Sequence, residues 1–155
     1  MKIALGADEN LHLVGEIARY LEERGHSVDR FGAAATKPVP WGRTALDVAE
    51  SVARGDHDTG IVCCWTGTGV SIAANKVAGV RAALCGDAQT ARGARRWNDA
   101  NVLALSLRAT APEVAREILE AWLAEPYGKT EDESLAAIRE REAHSSAEPS
   151  RSSAR

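Results

Sequence analysis

The fold is decided by the stretch IVCCWTGTGVSIAANK, residues 61–76, in which an apolar run passes through a glycine-containing turn into a helical pattern. Gly60–Cys64 is continuously apolar, which is typical of a strand buried on both faces of a parallel sheet. Because Val70–Lys76 has a helical pattern, the turn places the Cys64 thiol beside backbone N–H groups at a helix N-terminus. Such a position binds anions and favours a thiolate. It predicts a site where a base removes a proton from carbon and the developing oxyanion is stabilised.

Apolar runs and helical patterns alternate along the rest of the chain. Further strands are predicted at Lys2–Ala7, Ser27–Phe31, Val80–Cys85 and Val102–Ser106. Helices are predicted at Leu11–Arg24, Thr44–Arg54, Ala88–Trp97 and Ala111–Ala124, and a proline-containing loop at Ala33–Gly42. Five strands that alternate with helices predict an α/β fold with a doubly wound parallel sheet and helices on both faces.

The end of the chain departs from this alternation. One more helix is predicted at Glu131–Glu142, where Leu135, Ala136 and Ile138 make a thin apolar stripe. A thin stripe at the end of a finished domain favours packing on a second subunit. We therefore predict a single domain over residues 1–142 whose last helix lies at a subunit interface. Residues 143–155 are rich in Ser, Ala, Glu, Pro and Arg, which predicts a disordered tail.

Composition narrows the class of protein. The chain has 155 residues, 45% of them hydrophobic, and a net charge of −3, so nothing indicates a nucleic acid or an anionic membrane as partner. No apolar stretch approaches a membrane span, and Asp8 interrupts the N-terminal run too soon for a signal peptide. Three cysteines, two of them adjacent, fit a disulfide framework poorly and indicate a cytoplasmic protein. No Cys or His spacing suggests a metal site.

The candidate residues also have plain structural interpretations. Cys64 could be a buried cysteine in a tight strand-to-helix turn, and the pattern alone favours neither interpretation. Strand alternation points Cys63 away from Cys64, so we expect it in the core, as we do Cys85. Asp8 could cap the first helix or hold a sugar hydroxyl, and the two roles are compatible.

Three segments resemble a known family: CWTGTGVSIAANK at 64–76, GVRAALC at 79–85 and NDANVLAL at 98–105. The chain is similar from Met1 to about Trp122 to the type B ribose-5-phosphate isomerases and the galactose-6-phosphate isomerase subunits. The resemblance implies a Rossmann-like three-layer sandwich and a homodimer or dimer of dimers with active sites shared between subunits. It implies interconversion of aldose and ketose phosphates through a cis-enediolate, without a metal or organic cofactor.

The resemblance also assigns roles to residues. Cys64 aligns with the base that moves the proton between the first two sugar carbons, and Thr66 with a residue that assists ring opening or hydroxyl handling. The backbone N–H groups of Gly67, Thr68, Gly69 and Val70 align with the anion hole for the enediolate. The other positions that align with substrate contacts are Asp8 and Asn98, for hydroxyls, and Arg108, for the phosphate end.

Several positions depart from the family in ways that affect ring opening and phosphate binding. The histidine that usually follows the first aspartate is Glu9 here, and a glutamate would repel phosphate. The histidine that opens the sugar ring in the family is Trp97 here. The family tail carries arginines that reach the phosphate, whereas Lys129–Leu135 is acidic.

Other departures add aromatic and basic side chains. The tyrosine of the loop after the second strand is Trp41 here, and Arg43 stands where an acidic residue is common. Trp65 replaces the glycine that follows the catalytic cysteine. The tryptophans would narrow the site and offer apolar faces to a sugar. Arg43, if it points inward, would replace the lost positive charge or hold a carboxylate.

These observations predict an aldose–ketose isomerase that acts on a sugar or sugar phosphate through a cis-enediolate with Cys64 as base. Ribose 5-phosphate is not the expected best substrate. A short sugar that stays open needs no ring-opening histidine, and a sugar without phosphate needs no tail arginines. The alternative is a non-catalytic carbohydrate-binding or regulatory module. Cys64 and Thr66 favour the enzyme, because a pure binder has no need of a thiolate beside an anion hole.

Overall fold

The computed structural model of the chain describes residues 1–147. Its strands form one five-stranded sheet in the order β2-β1-β3-β5-β4, and every neighbouring pair is parallel. The strands are β1 Lys2–Ala7, β2 Ser27–Gly32, β3 Thr59–Cys64, β4 Ala82–Leu84 and β5 Val102–Ser106. The helices are α1 His12–Glu23, α2 Trp41–Ala53, α3 Thr68–Ala74, α4 Ala88–Asn98, α5 Pro112–Ala124 and α6 Asp132–Ala147, with a 3₁₀ turn at Ala33–Ala35. The predicted three-layer α/β fold is confirmed.

Two apolar layers cover the sheet. On one face, α1, α4 and α5 pack against side chains such as Ile61, Cys63 and Leu103. On the other face, α2 and α3 pack against Val62 and Cys64. All of β3 is buried because it lies in the centre of the sheet between these layers. Successive residues of a strand face opposite sides, so Cys63 and Cys64 enter different layers, as the sequence predicted.

Several element boundaries differ from the predictions, and α3 spans Thr68–Ala74 rather than Val70–Lys76. Helix α2 begins at Trp41 inside the predicted loop, because Pro40 occupies its N-cap, where a fixed φ suits helix entry. Strand β4 is shorter than predicted, and it is an edge strand, which pairs with β5 as its only neighbouring strand in the sheet. Helix α6 continues to Ala147, so Ala143 to Ala147 are helical rather than disordered. The rest of the predicted tail, 148–155, lies outside the described residues.

The sheet topology creates a crevice beside the carboxyl end of β3. Strand β2 lies on one side of β1 and β3 lies on the other. The strand order therefore reverses between β1 and β3, which makes this a topological switch point. Ligands of open α/β sheets bind in such crevices. Ala7 pairs with Cys63 and Cys64 pairs with Ser106, so Asp8 lies beside the Cys64 turn. Within residues 1–147, no helix is long and apolar enough to cross a membrane.

Candidate active site

A cavity of about 300 Å³ opens at the carboxyl ends of β1 and β3. It is lined by Asp8, Trp41, Cys64, Trp65, Thr66, Thr68 and Gly69. Each of these residues is a candidate named from the sequence, and the fold brings them together from three separate segments. Cys64 is only 5% exposed, whereas Trp41 and Trp65 are 47% and 53% exposed. The thiol therefore lies at the bottom of the cavity, and the two indoles stand at its rim.

The three thiols have different surroundings. Burial, with smaller contributions from Cys64 and Asp8, raises the pKa of the Cys63 thiol to about 12. Burial and the nearby charge of Asp87 raise the pKa of the Cys85 thiol to about 12 as well. Both groups stay protonated at neutral pH, and thiols are inert in that form. Of the three, Cys64 is the one that lines the cavity of the switch-point crevice.

Iodoacetamide should therefore modify Cys64 selectively near neutral pH. Cys63 and Cys85 are expected to remain free thiols in the folded protein, because both are neutral and buried. Peptide mass spectrometry after alkylation locates the label, and alkylation of the unfolded protein provides the control in which all three react. Early labelling of Cys63 or Cys85 in the native protein would contradict this expectation.

The turn after Cys64 is fixed by backbone contacts that require glycine. Gly67 has a φ of +76°, and a Cβ there would lie 2.5 Å from Cδ1 of Leu84 and 2.9 Å from the carbonyl carbon of Leu105. The carbonyl oxygen of Cys64 accepts a hydrogen bond from the N–H of Leu107 at 2.9 Å. The carbonyl oxygen of Trp65 accepts one from the Ser106 hydroxyl, also at 2.9 Å. The turn thus lies tightly against the end of β5.

Two hydroxyls and one aromatic ring shape the far side of the cavity. The hydroxyl oxygens of Thr66 and Thr68 are 2.7 Å apart and hydrogen-bonded. The indole of Trp41 lies on the backbone of Gly69, where a Cβ would come within 3.1 Å of its ring. Gly69 therefore allows Trp41 to pack directly on the first turn of α3. Val70, the remaining predicted anion-hole residue, is fully buried beneath that turn.

Asp8 does not cap the first helix. The N-cap of α1 is Leu11, which makes no side-chain capping bond, so the capping interpretation of Asp8 is wrong. Its Oδ1 atom is buried and has no hydrogen-bond partner among the described residues. Because an unpaired buried acceptor costs free energy, this oxygen is suited to accept a hydrogen bond from a ligand hydroxyl.

Arg108 lies in a neighbouring cavity of about 590 Å³. That cavity is lined by Thr66, Leu84, Cys85, Gly86, Ser106, Arg108, Ala109 and Thr110. Thr66 lines both cavities, so it stands between the Cys64 thiol and Arg108. Within residues 1–147 the Arg108 guanidinium has no ion-pair or hydrogen-bond partner. It is available to bind an anionic group.

Seven predicted residues do not line the Cys64 cavity: Gly67, Val70 and Arg108, described above, and Glu9, Arg43, Trp97 and Asn98. Arg43 does not point into it, because its Nε donates to Oδ1 of Asp47 at 2.8 Å and its Nη2 lies 3.7 Å from Glu50. The prediction that Arg43 points into the site is therefore corrected. The guanidinium instead pairs with Asp47, one turn later on the exposed face of α2. Glu9 is exposed and lines none of the cavities described. Trp97 and Asn98 line two other cavities, beside β4 and α6.

Two residues that were not predicted from the sequence hold segments next to the site. Ser106 follows β5 directly beside Cys64 and holds the Trp65 carbonyl; its position at a strand end next to Cys64 could have identified it. Asn75 bonds to the edge strand, a contact between segments that no local pattern reveals. Residues 1–147 contain no group of three or more His, Cys, Asp or Glu side chains arranged to hold a metal ion.

Comparison with known proteins agrees with this architecture. The Ribose/Galactose Isomerase family model matches residues 3–138. Ribose-5-phosphate isomerase B of Escherichia coli (strain K12) is 42% identical over 127 residues, covering 81% of this chain and 85% of that protein. D-erythrulose-4-phosphate isomerase of Pectobacterium atrosepticum is 41% identical over 125 residues, covering 79% and 82%. The structure of ribose-5-phosphate isomerase B from Clostridium thermocellum superposes with a TM-score of 0.88 at 40% identity, covering 94% of this chain and 99% of that one. These similarities confirm the predicted enzyme class, an aldose–ketose isomerase, and the chain belongs to the ribose/galactose isomerase family.

Proposed function

We propose that this isomerase acts on a short, open-chain sugar phosphate through a cis-enediolate, with Cys64 as the base. The observation that carries the proposal is the shared cavity of the Cys64 thiol and the unpaired Oδ1 of Asp8. The Cys64 thiolate removes a proton from carbon, and Oδ1 of Asp8 orients the hydroxyl beside that carbon. A site that only binds a sugar has no need of a thiolate base.

The reaction needs one base and a set of hydrogen-bond donors. The Cys64 thiolate removes the proton from the carbon next to the carbonyl, and the electron pair of the C–H bond moves onto the carbonyl oxygen. Backbone N–H groups of the turn 67–70 stabilise the enediolate as it forms, and removing one such donor typically costs about 10²–10³-fold in rate. The hydroxyl of Thr66 passes a proton between the two enediolate oxygens. Cys64 then returns its proton to the adjacent carbon.

The cavity favours a substrate that is already open. Ring opening needs an acid at the ring oxygen and a base at the anomeric hydroxyl. Among the described residues, the ionisable side chains that line the cavity are Asp8 and Cys64 alone, and both have other tasks. A four-carbon sugar phosphorylated at O4 has no free hydroxyl that could close a five- or six-membered ring. The relative named for D-erythrulose 4-phosphate, at 41% identity, supports this substrate class.

The phosphate end of such a substrate would lie at Arg108. The Arg108 cavity adjoins the Cys64 cavity at Thr66, so an extended chain can place its carbonyl end at the thiol and its phosphate at the guanidinium. We extend the proposal to a cytoplasmic protein that forms a homodimer or a dimer of dimers. In that dimer, Trp97 and Asn98 would reach the site of the second copy, and Ile138, 45% exposed on α6, would lie at the interface.

Proton exchange in heavy water tests the function. The protein is incubated with tetrose 4-phosphates, pentose 5-phosphates, hexose 6-phosphates, uronates and the corresponding free sugars, and NMR follows loss of the proton next to the carbonyl. We expect the fastest exchange with the tetrose 4-phosphates. Faster exchange with pentose 5-phosphates would overturn the substrate class. Absence of exchange across the panel, together with sugar binding, would favour the non-catalytic module.

A further inference from the structure

The side chain of Asn75 joins helix α3 to the edge strand β4. Its Nδ2 donates to the carbonyl oxygens of Ser71, at 3.0 Å, and Ala82, at 2.8 Å. Its Oδ1 accepts a hydrogen bond from the N–H of Ala82 at 2.8 Å. One amide therefore satisfies both backbone groups of Ala82 on the open side of the sheet, as a neighbouring strand would. The same amide also binds a carbonyl of the last turn of α3.

At this end of α3, the Asn75 amide adds directional contacts to the apolar packing of the helix. The helix is seven residues long, and Val70 and Ala74 are its only buried residues. These side chains pack beneath α2 and against the sheet, but apolar contacts of this kind are not directional. The pair of hydrogen bonds to Ala82 gives this packing a defined direction at the C-terminal end of the helix. The Asn75 amide thus ties the last turn of α3 to the edge of the sheet.

The opposite end of α3 forms a wall of the candidate site. Thr68 and Gly69 line the Cys64 cavity, and Trp41 packs on Gly69. Because α3 is short and rigid, a shift at Asn75 moves these groups relative to the Cys64 thiol. From this geometry we infer that Asn75 is a positioning residue for the isomerase reaction: it holds α3 so that its first turn meets the enediolate. This inference rests on the proposed function.

Asn75→Asp tests the inference with a side chain of the same shape. The carboxylate still accepts from the Ala82 N–H, but it cannot donate, and it faces two carbonyl oxygens. We expect kcat for the tetrose 4-phosphate to fall about 10- to 100-fold, since small displacements of reacting groups cost rate on this scale. KM should stay near the wild-type value, because Asp8 and Arg108 are untouched. Asn75→Ala leaves the backbone N–H and carbonyl oxygen of Ala82 to bond with water. It should likewise lower kcat and leave KM near the wild-type value.

Asn101→Asp is the matched control. Asn101 clamps the chain before the same strand through two backbone bonds, from Arg81 N–H to its Oδ1 at 2.8 Å and from its Nδ2 to the Gly79 carbonyl oxygen at 2.9 Å. It does not touch α3, so its loss should lower the melting temperature without the fall in kcat. Equal losses of kcat in both asparagine variants, or a wild-type kcat in Asn75→Asp and Asn75→Ala, would overturn the inference.

A second readout separates this inference from the proposed function. The rate of Cys64 alkylation by iodoacetamide depends on the groups around the thiol and needs no substrate. If the wild-type protein exchanges no proton with any sugar, the proposed reaction fails while the alkylation rate still reports the position of α3. A changed rate in Asn75→Asp with a wild-type rate in Asn101→Asp supports the positioning role. Unchanged rates in both variants refute it.

Discussion

Replacing Cys64 by alanine is expected to abolish proton exchange at the substrate carbon while the protein still folds and binds sugar phosphate. A positioned acid or base contributes about 10²–10⁴-fold to rate, and loss of the single base should fall at the upper end of that range. Binding should persist because Asp8, Thr66 and Arg108 remain in place. Stability should fall modestly, since Cys64 is 5% exposed and packs in the layer beneath α2 and α3, although it also borders the cavity. Exchange is measured by NMR in heavy water, and binding by calorimetry with the tetrose 4-phosphate.

Cys63→Ala is the matched control for this experiment. Cys63 is the neighbouring thiol, fully buried on the opposite face of β3. Its replacement should reduce the free energy of unfolding, because it leaves a void in a packed layer. The exchange rate should stay near that of the wild type. Full exchange in Cys64→Ala would show that another group is the base, and the mechanism proposed above would then be wrong.

The sequence predicted the sheet well because its central strand has an unambiguous pattern. A continuous apolar run bounded by a glycine-containing turn has few interpretations, and period-two alternation then separates Cys63 from Cys64. The start of α2 was missed because Pro38, Pro40 and Gly42 read as loop residues. The structure uses Pro40 as the N-cap, and a Cβ at Gly42 would meet nothing within 4 Å. Prolines mark both loops and helix starts, so composition alone could not place the boundary.

The candidate site was predicted best where its residues follow the strand ends. Asp8 and Cys64 share a cavity because parallel strands bring their carboxyl ends to one edge of the sheet. The orientation of Arg43 could have been predicted, because Asp47 lies four residues later on the helix and oppositely charged residues at that spacing interact. The hydrogen bonds of the Asn75 amide could not be predicted, because its partner Ala82 belongs to another element and no sequence pattern links the two residues. Local patterns thus place elements, whereas contacts between elements decide side-chain orientation.

Gly67→Ala is expected to damage both stability and catalysis. At a φ of +76° an alanine costs about 1–2 kcal/mol relative to glycine. The added methyl group would also lie 2.5 Å from Leu84 and 2.9 Å from the backbone of Leu105, and overpacking of this kind costs about 1–3 kcal/mol more. Leu84 can rotate away, but the Leu105 backbone belongs to β5 and cannot. The turn must move instead, which shifts Thr66 and Thr68 relative to the Cys64 thiol. We expect exchange to slow by about 100-fold.

Gly55→Ala is the control that separates backbone strain from overpacking as causes of the lost stability. Gly55 has nearly the same φ, +78°, but a Cβ there would meet nothing within 4 Å, and it lies after α2, away from the cavity. Its replacement should lower the free energy of unfolding through backbone strain alone and leave the exchange rate unchanged. Chemical denaturation and heavy-water exchange on both variants make the comparison. If Gly67→Ala loses no more stability than Gly55→Ala and retains its exchange rate, the turn tolerates a side chain. The rigid placement of its N–H groups would then not be the source of enediolate stabilisation.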